Sequence, residues 1–133
     1  MAAKGRLERE FSPGVPPLVP VTVRAPGAAG ASVSGLAVID SAADVSCIRE
    51  DVAAELSLTK IHETGLRGTT GKAQRPIFQC AIDLGTLDAL PTWPVISIPA
   101  GIRDVVLIVG RDLMHRWVTT FDGQRRKLVI RRP

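Results

Sequence analysis

The chain has 133 residues, a formal net charge of +4 at neutral pH and hydrophobic residues at 45% of its positions. This length suits one domain with one modest core, and the apolar content excludes a disordered chain. The chain is too short to form two lobes with an active site between them, unless a second chain supplies the other lobe. Aromatic residues reach only 4% and tyrosine is absent, which argues against the stacking surfaces of single-strand nucleic-acid binders.

The basic excess lies at one end of the chain. The last ten residues contain five Arg or Lys and no acid, so the rest of the chain is close to neutral. Nucleic-acid binding through residues 125–133 is the weaker alternative, because the charge is local. No stretch approaches the roughly 18 apolar residues of a membrane span, and the N-terminus lacks the apolar core of an export signal. We expect a cytoplasmic protein with neither a nucleic-acid nor a membrane partner.

The cysteines and histidines do not form a metal-binding or redox pattern. Cys47 and Cys80 are far apart and form no CxxC motif, so we expect two buried thiols in a reducing compartment. His62 and His115 are too few and too separated for a zinc site. The sequence therefore predicts no metal and no cofactor.

The chain divides into an N-terminal lead-in and a domain of short strands. Residues 1–17 are polar and then rich in proline, which predicts an arm or an irregular lead-in. In residues 18–133, alternating or continuous apolar runs between turn signals predict strands at 19–23, 33–39, 61–67, 73–84, 93–98, 105–109, 118–121 and 128–130.

Two short segments of residues 18–133 have a helical pattern. Ile48, Val52 and Leu56 recur at helical spacing, and a second short helix is expected at residues 112–116. The many strands and the little helix together predict a mostly β domain, a small closed barrel or closed sandwich.

One carboxylate stands in a setting that suits chemistry. The buried-type strand at residues 36–39 ends at Asp40, followed by Ser41 and two alanines. A second buried-type strand, at residues 106–109, runs into Gly110. An aspartate at the end of a core strand either caps a turn or acts as a working acid, and the spacing leaves both interpretations open.

A glycine-bounded turn at residues 68–72 has a superficial likeness to a phosphate-binding loop. Leu66 stands where that loop needs its first glycine, and Ala73 stands where it needs Ser or Thr. Pro76 blocks the helix that must follow. We therefore reject a phosphate site there.

Three segments, in order, resemble those of retropepsin-like aspartic proteases. Residues 38–44, VIDSAAD, resemble the active-site loop of that family, and residues 108–114, IVGRDLM, resemble its second signature. The turn between the two signatures stands where the family carries its flap. The turn comprises Gly68, Thr69, Thr70 and Gly71, and the second signature opens with Ile108, Val109 and Gly110.

The resemblance implies a fold and an activity. The fold is a small closed β-barrel of the acid-protease type with one or two short helices, working as a homodimer on a peptide or protein substrate. Each chain contributes one catalytic aspartate, Asp40, because two nearby carboxylates share one proton in this chemistry. The implied activity is that of an aspartic endopeptidase.

The resemblance also implies roles for residues around Asp40. Ser41 would form a hydrogen bond across the dimer, or bond its own backbone as an ordinary turn serine. Asp44 and Arg111 match an ion pair that ties the loop to the second helix. If it is buried, breaking it costs roughly 3–5 kcal/mol; if it is exposed, it contributes little. The strand at residues 128–130 occupies the place of the dimer sheet, although its arginines would repel each other.

Ala42 departs from the family pattern, which has glycine at this position and alanine at the next, as here in Ala43. If residue 42 needs a positive φ, alanine costs about 1–2 kcal/mol. If φ is negative, the added methyl only crowds the floor of the cleft. Ala42 thus motivates an alternative, a catalytically impaired module that binds peptides or partners in the same cleft.

Overall fold

The computed structural model describes residues 5–27, 30–68, 71–99, 101 and 104–133. Within these ranges the chain is mostly β, as the sequence predicts. The strands are β1 (Arg6–Glu10), β2 (Leu18–Arg24), β3 (Ser32–Ile39), β4 (Cys47–Arg49), β5 (Lys60–Gly68), β6 (Gly71–Asp83), β7 (Ala89–Ile98), β8 (Val105–Val109), β9 (Val118–Asp122) and β10 (Lys127–Arg131). The helices are α1 (Glu50–Glu55) and α2 (Arg111–Met114).

Six strands form a closed barrel, which confirms the predicted fold class. Their order is β2-β3-β8-β4-β7-β6, and β6 returns to pair with β2 through Val23 and Ile82. Strand β5 is attached outside this circle as the hairpin partner of β6. Closure removes free edges from the barrel strands and encloses one apolar core. Fully buried core residues include Val19, Val23, Ile48, Ile82, Leu84, Val95, Leu107 and Val109.

Strands β3 and β8 lie side by side in the middle of the barrel wall. They run parallel, with Val38 opposite Ile108 and Ile39 opposite Val109. Parallel strands covered on both faces have near-continuous apolar sequences, which is the pattern of residues 36–39 and 105–109. The two strands therefore end at the same edge of the sheet, where the two signature segments lie side by side.

Both helices exist, with bounds that differ from the expected ones. Ile48 belongs to β4, where it pairs with Ser97 and Leu107, so α1 begins at Glu50. Ile48 would be buried in a helix as well as in a strand. In the structure it pairs with the barrel strands and is therefore part of β4. Helix α2 begins at Arg111, one residue earlier than predicted, and is a single turn. No helix in the described ranges is long and apolar enough to cross a membrane.

A second sheet of three strands, in the order β1-β10-β9, packs beside the barrel. The N-terminal segment was expected to be irregular, but Arg6–Glu10 is a strand that pairs with β10. Strand β10 is central and buries Leu128 and Ile130 completely. Strand β10 lies between β1 and β9 in this sheet. The expectation that residues 128–130 belong to a dimer sheet stays a prediction.

Candidate active site

Asp40 lies where β3 and β8 end. Its backbone N–H donates to the carbonyl of Val109 at 3.0 Å, which extends the parallel ladder by one residue. Gly110 follows Val109 directly, so the two sequence signatures meet at this point. The barrel wall thus holds Asp40 from below through main-chain bonds that do not depend on side-chain rotamers.

The carboxylate of Asp40 also caps its own turn. Its Oδ1 accepts the N–H of Ala42 at 2.9 Å, and its carbonyl accepts the N–H of Ala43 at 3.2 Å. The side chain is half-buried, and Oδ2 accepts no hydrogen bond from the described residues. The turn-cap interpretation is therefore correct, and it leaves one carboxylate oxygen open for chemistry.

The backbone at Ala42 is unstrained. Positive φ among the described non-glycine residues occurs at Ser57, Asp104 and Arg126, and Ala42 is not one of them. The first of the two possibilities for Ala42, a penalty from left-handed backbone, is therefore wrong. Its methyl group is exposed on the loop surface, beside Asp40.

Gly110 is required by the close approach of two backbones. A Cβ at this position would lie 2.6 Å from the carbonyl carbon and oxygen of Val45, and 3.0 Å from the carbonyl oxygen of Ala43. Next to it, the N–H of Arg111 donates to the carbonyl of Ala43 at 2.8 Å. The start of α2 and the Asp40 loop are thus bonded main chain to main chain.

Arg111 extends over the Asp40 loop. Its Nη1 donates to the carbonyl of Ser41 at 2.8 Å, and its Nη2 pairs with Asp44. The side chains are 46% and 82% exposed in the single chain, where the two residues form a surface ion pair. An exposed pair contributes about 0–1 kcal/mol. Ser41 is exposed, and its contact with Arg111 is made by its backbone carbonyl.

A buried polar cluster beneath the loop was not predicted. Ser46 is fully buried; its Oγ donates to Asp112 Oδ1 at 2.8 Å and accepts the N–H of Gly110 at 3.0 Å. Trp93 Nε1 donates to Asp112 Oδ2 at 2.9 Å, and the N–H of Leu113 donates to Oδ1 at 2.8 Å. A polar serine next to an apolar run was the one available signal, since Trp93 in β7 and Asp112 in α2 are both far from Ser46 in the sequence.

Cys47 lies beside this cluster, and both thiols are buried and free. Burial raises the pKa of Cys47 to about 11, with further contributions from the charges of Asp112 and Asp40. Burial also raises the pKa of Cys80 to about 11. Neither thiol is therefore a nucleophile at neutral pH. The described residues contain no group of three or more His, Cys, Asp or Glu arranged to hold a metal ion.

An apolar cavity of about 110 Å³ lies against the same two strands. Val38 and Ile108, the first residues of the two signature segments, line it together with Cys47 and Ile98. The guanidinium of Arg49, which donates to the carbonyl of Val105 at 3.4 Å, stands at its wall. The cavity is therefore an apolar space against β3 and β8 that suits an aliphatic side chain.

Strands β5 and β6 form a long hairpin at the place predicted for the flap. Gly68 is paired with Gly71 at its end. Thr69 and Thr70, the expected tip, lie outside the described residues. The hairpin is established, whereas its role as a flap stays a prediction.

Comparison with solved structures identifies the fold. A retropepsin-like aspartic protease from Rickettsia conorii aligns with a TM-score of 0.61 at 13% identity, covering 95% of this chain and 90% of that one. EIAV protease complexed with an inhibitor gives 0.58 at 16% identity, covering 79% and 90%. The retroviral protease-like domain of Ddi1 from Leishmania major gives 0.51 at 16% identity, covering 85% and 87%.

The sequence itself matches no family model and no curated protein. The structural likeness nevertheless covers most of each chain, and the chain has the retropepsin-like fold. The resemblance read from residues 38–44 and 108–114 is thereby confirmed at the level of the fold.

Proposed function

We propose that the protein is an aspartic endopeptidase that works as a homodimer, with Asp40 of each chain forming the catalytic pair. The observation that carries the proposal is the position of Asp40. It stands at the joint end of β3 and β8, bonded to Val109, in a fold that it shares with aspartic proteases. Each chain has one such carboxylate, that of Asp40, whereas peptide hydrolysis by this mechanism requires two. A second chain would therefore supply the other.

The proposed reaction uses only two carboxylates and a water molecule. Two aspartates a few ångströms apart cannot both ionise, so one Asp40 holds the shared proton and the other is charged. The charged carboxylate takes a proton from water while the water oxygen attacks the peptide carbonyl, and the protonated one donates to the carbonyl oxygen. The tetrahedral intermediate then breaks its C–N bond, and the amine leaves with the proton held by the pair. One hydroxyl of the intermediate returns its proton to the other carboxylate as the carbonyl re-forms, which restores the single shared proton. No metal or cofactor is required, and we expect an acid-shifted optimum.

Neighbouring residues would keep the loop in place during this chemistry. Arg111 joins Ser41 and Asp44 across its surface, and the buried Ser46 attaches it to Asp112 from beneath. Rigid main-chain support of this kind keeps a catalytic group within the small tolerance that proton transfer allows. Each of these residues would position Asp40 without touching the reacting atoms.

The substrate would be a peptide or protein segment lying in the groove between two chains. The apolar cavity beside Val38 and Ile108 suits an aliphatic side chain of that segment. The hairpin that includes Gly68 and Gly71 would cover the bound peptide as a flap. The two free, buried thiols fit the reducing conditions of the cytoplasm.

The test is peptide cleavage by the full chain and by Asp40→Asn. A mixture of peptides of diverse sequence is incubated with each protein across pH 4–7, and new termini are read by mass spectrometry. We expect cleavage by the wild type and a loss of at least a thousandfold in Asp40→Asn, whose fold persists because the amide oxygen still caps the turn. Glu55→Gln, which removes an exposed charge on α1, is the matched control and cleaves like the wild type. Equal cleavage by Asp40→Asn contradicts the proposal.

A further inference from the structure

The outer face of the three-stranded sheet carries charges along its central strand. Leu128 and Ile130 of β10 are buried, so Lys127 and Arg131, at the alternate positions, lie on the opposite face. These two residues stand at the two ends of β10, roughly 13 Å apart at 3.4 Å per residue. The surroundings of the two ends differ in their balance of charge.

The end of the sheet beside the turn between β9 and β10 is balanced. Lys127 lies between Glu10 and Asp122 in the register of the three strands. Its Nζ is 3.1 Å from Glu8 Oε1, and Arg125 Nε is 3.9 Å from Asp122 Oδ2. Three basic residues and three acids share this end: Arg125, Arg126 and Lys127, with Glu8, Glu10 and Asp122.

The other end of the sheet has an excess of positive charge. Arg131 lies opposite Arg6 on β1 and opposite Val118 on β9. Neighbouring strands are about 4.8 Å apart, and like charges directly opposite each other destabilise a sheet. Arg132 follows Arg131 directly. We call Arg6, Arg131 and Arg132, all of which are exposed, the arginine cluster.

The backbone at Gly5 makes room for the third member of the cluster. Gly5 has a φ of +74°, and a Cβ at this position would lie 2.8 Å from Arg132 Nε. The N–H of Arg132 also donates to the carbonyl of Gly5 at 2.7 Å. The side chain of Arg132 therefore lies against the backbone immediately before Arg6.

The cluster is poorly neutralised by the chain itself. Glu8 Oε2 lies 3.2 Å from Arg6 Nη1, but the other oxygen of Glu8 contacts Lys127. Within the described residues, Arg131 and Arg132 form no ion pair. Three guanidinium groups are thus set against one carboxylate that a fourth cation shares.

Arg132 also lines an open recess of about 550 Å³, together with Thr86 and Asp88. The carboxylate of Asp88 is already engaged, because its Oδ2 accepts hydrogen bonds from Arg116 at 3.1 Å and from Trp117 at 3.0 Å. The recess therefore offers space beside the cluster, and its one carboxylate is neutralised from within.

We propose that the arginine cluster binds an acidic segment of another protein, one that carries several closely spaced carboxylates next to an aliphatic side chain. Guanidinium groups bind carboxylates through two parallel hydrogen bonds, which suits Arg131 and Arg132. Val118, 39% exposed and opposite Arg131, would contact the aliphatic group. The proposal concerns a surface apart from Asp40 and does not depend on the proposed function.

The small extent of the cluster favours a protein partner over a nucleic acid or a membrane. Binding to nucleic acid usually neutralises many phosphates along an extended basic track, whereas here acids begin at Glu8, one strand pair away. Recognition of an anionic membrane typically uses four to eight adjacent basic residues. Three guanidinium groups at one end of a sheet instead match a short run of carboxylates.

The test is the binding of a short labelled peptide of Asp and Glu with one central Leu, followed by fluorescence anisotropy. A second peptide, with Asn and Gln in place of the acids, is the matched probe. The full-length chain is compared with the double variant Arg131→Gln and Arg132→Gln. The double variant Arg125→Gln and Arg126→Gln is the control, because it loses the same charge at the other end of the sheet.

The outcomes separate a local site from an effect of net charge. We expect the wild type to bind the acidic peptide, more weakly as salt is added, and not to bind the amide peptide. Loss of Arg131 and Arg132 should raise Kd at least tenfold, and loss of Arg125 and Arg126 less than twofold, with unchanged circular dichroism spectra. Equal weakening by both double variants, or no binding by the wild type, would overturn the proposal.

Glu8→Gln tests the cluster in the opposite direction. This variant removes the acid that contacts Arg6 and leaves all three arginines in place. We expect Kd for the acidic peptide to fall about two- to fivefold, as suits the loss of one surface ion pair. Weaker binding by folded Glu8→Gln would contradict the proposal.

Competition identifies the class of partner. An unlabelled acidic peptide should displace the probe at lower concentration than a single-stranded oligonucleotide or vesicles of phosphatidylserine. Displacement at lower concentration by either of the latter would overturn the proposal and assign the cluster to that partner. The readout is binding and not cleavage, so failure of this proposal leaves the role of Asp40 untouched, and an inactive enzyme leaves the cluster untouched.

Discussion

The backbone N–H of Asp40 and the carbonyl of Val109 are joined by a 3.0 Å hydrogen bond. This bond unites the ends of two parallel strands that are far apart in the sequence, and it brings the two signature segments together. Asp40 is held mainly by the main chain of the barrel, and the exposed ion pair between Arg111 and Asp44 adds only a little to the support of its position. The support of the loop is thus divided between strong buried contacts and weak surface contacts.

Removing the hydroxyl of Ser46 should weaken the buried support. Ser46→Ala leaves the N–H of Gly110 without a partner in a buried setting, and it removes one of the two hydrogen bonds that Asp112 Oδ1 accepts. Unsatisfied buried groups cost about 1–3 kcal/mol. We expect the free energy of unfolding in urea to fall by that amount, and kcat of peptide cleavage to fall more than KM rises.

The matched control is Ser32→Ala, at an exposed position on β3. It should change the free energy of unfolding by less than about 0.5 kcal/mol, as is usual at the surface. Equal stability of Ser46→Ala and Ser32→Ala would show that the polar cluster does not support the loop.

Asp88 gives the fold a defined response to acid. Its side chain is 6% exposed, and burial raises its pKa, but hydrogen bonds from Trp117 and Arg116 outweigh burial and leave the pKa below the ordinary value. A lowered pKa stabilises the fold above the pKa of an unfolded aspartate, about 4. This stabilisation is lost as the pH falls through the lower pKa of the folded chain.

We therefore expect Asp88→Asn to lower the free energy of unfolding by about 1–3 kcal/mol at neutral pH. The difference from the wild type should shrink as the pH falls below about 4. Urea titrations between pH 2.5 and 7 measure both quantities. A difference that grows on acidification would contradict the assignment.

Ala42→Gly tests whether the departure from the family pattern impairs catalysis. Ala42 has a backbone conformation open to any residue, so glycine only adds freedom to the unfolded chain. We expect a loss of about 0.4–1 kcal/mol of stability, and a change in kcat/KM of less than tenfold. A wild type without cleavage beside an active Ala42→Gly would show that Ala42 impairs catalysis, and peptide capture by the uncleaving wild type would then support the peptide-binding module.

Both thiols, Cys47 and Cys80, should be unreactive towards thiol reagents in the folded protein. Burial raises the pKa of Cys47 and of Cys80 to about 11, so almost no thiolate exists at pH 7.5. We expect no fast reaction with a disulfide reagent such as DTNB in buffer, and two thiols reacting in 6 M guanidinium. Fast reaction of one thiol in native buffer would show that the core around it opens.

The sequence was sufficient for the barrel strands and for the Asp40 loop. The alternation of Val19, Val21 and Val23 and the continuous apolar run before Asp40 are local patterns, and local patterns determine strands. The start of α1 was misplaced because Ile48 satisfies both a helical spacing and a strand, and only pairing with Leu107 decides between them.

Features that depend on distant partners were not predictable. The cluster of Ser46, Trp93 and Asp112 joins three segments that no short motif connects. The strand at Arg6–Glu10 was missed because its sequence is mostly charged and does not alternate between apolar and polar residues. It forms because its backbone pairs with β10. The exposure of Arg111 depends on how the loop folds over α2.

The most direct measurement of the central claim mixes active and inactive chains. A fixed amount of wild type is equilibrated with increasing amounts of Asp40→Asn, and peptide cleavage is followed at each ratio. If each site needs one Asp40 from each of two chains, heterodimers are inactive, and activity falls towards zero as the variant becomes the excess species. Activity that stays constant at every ratio would show that one chain is sufficient and would contradict the shared aspartate pair.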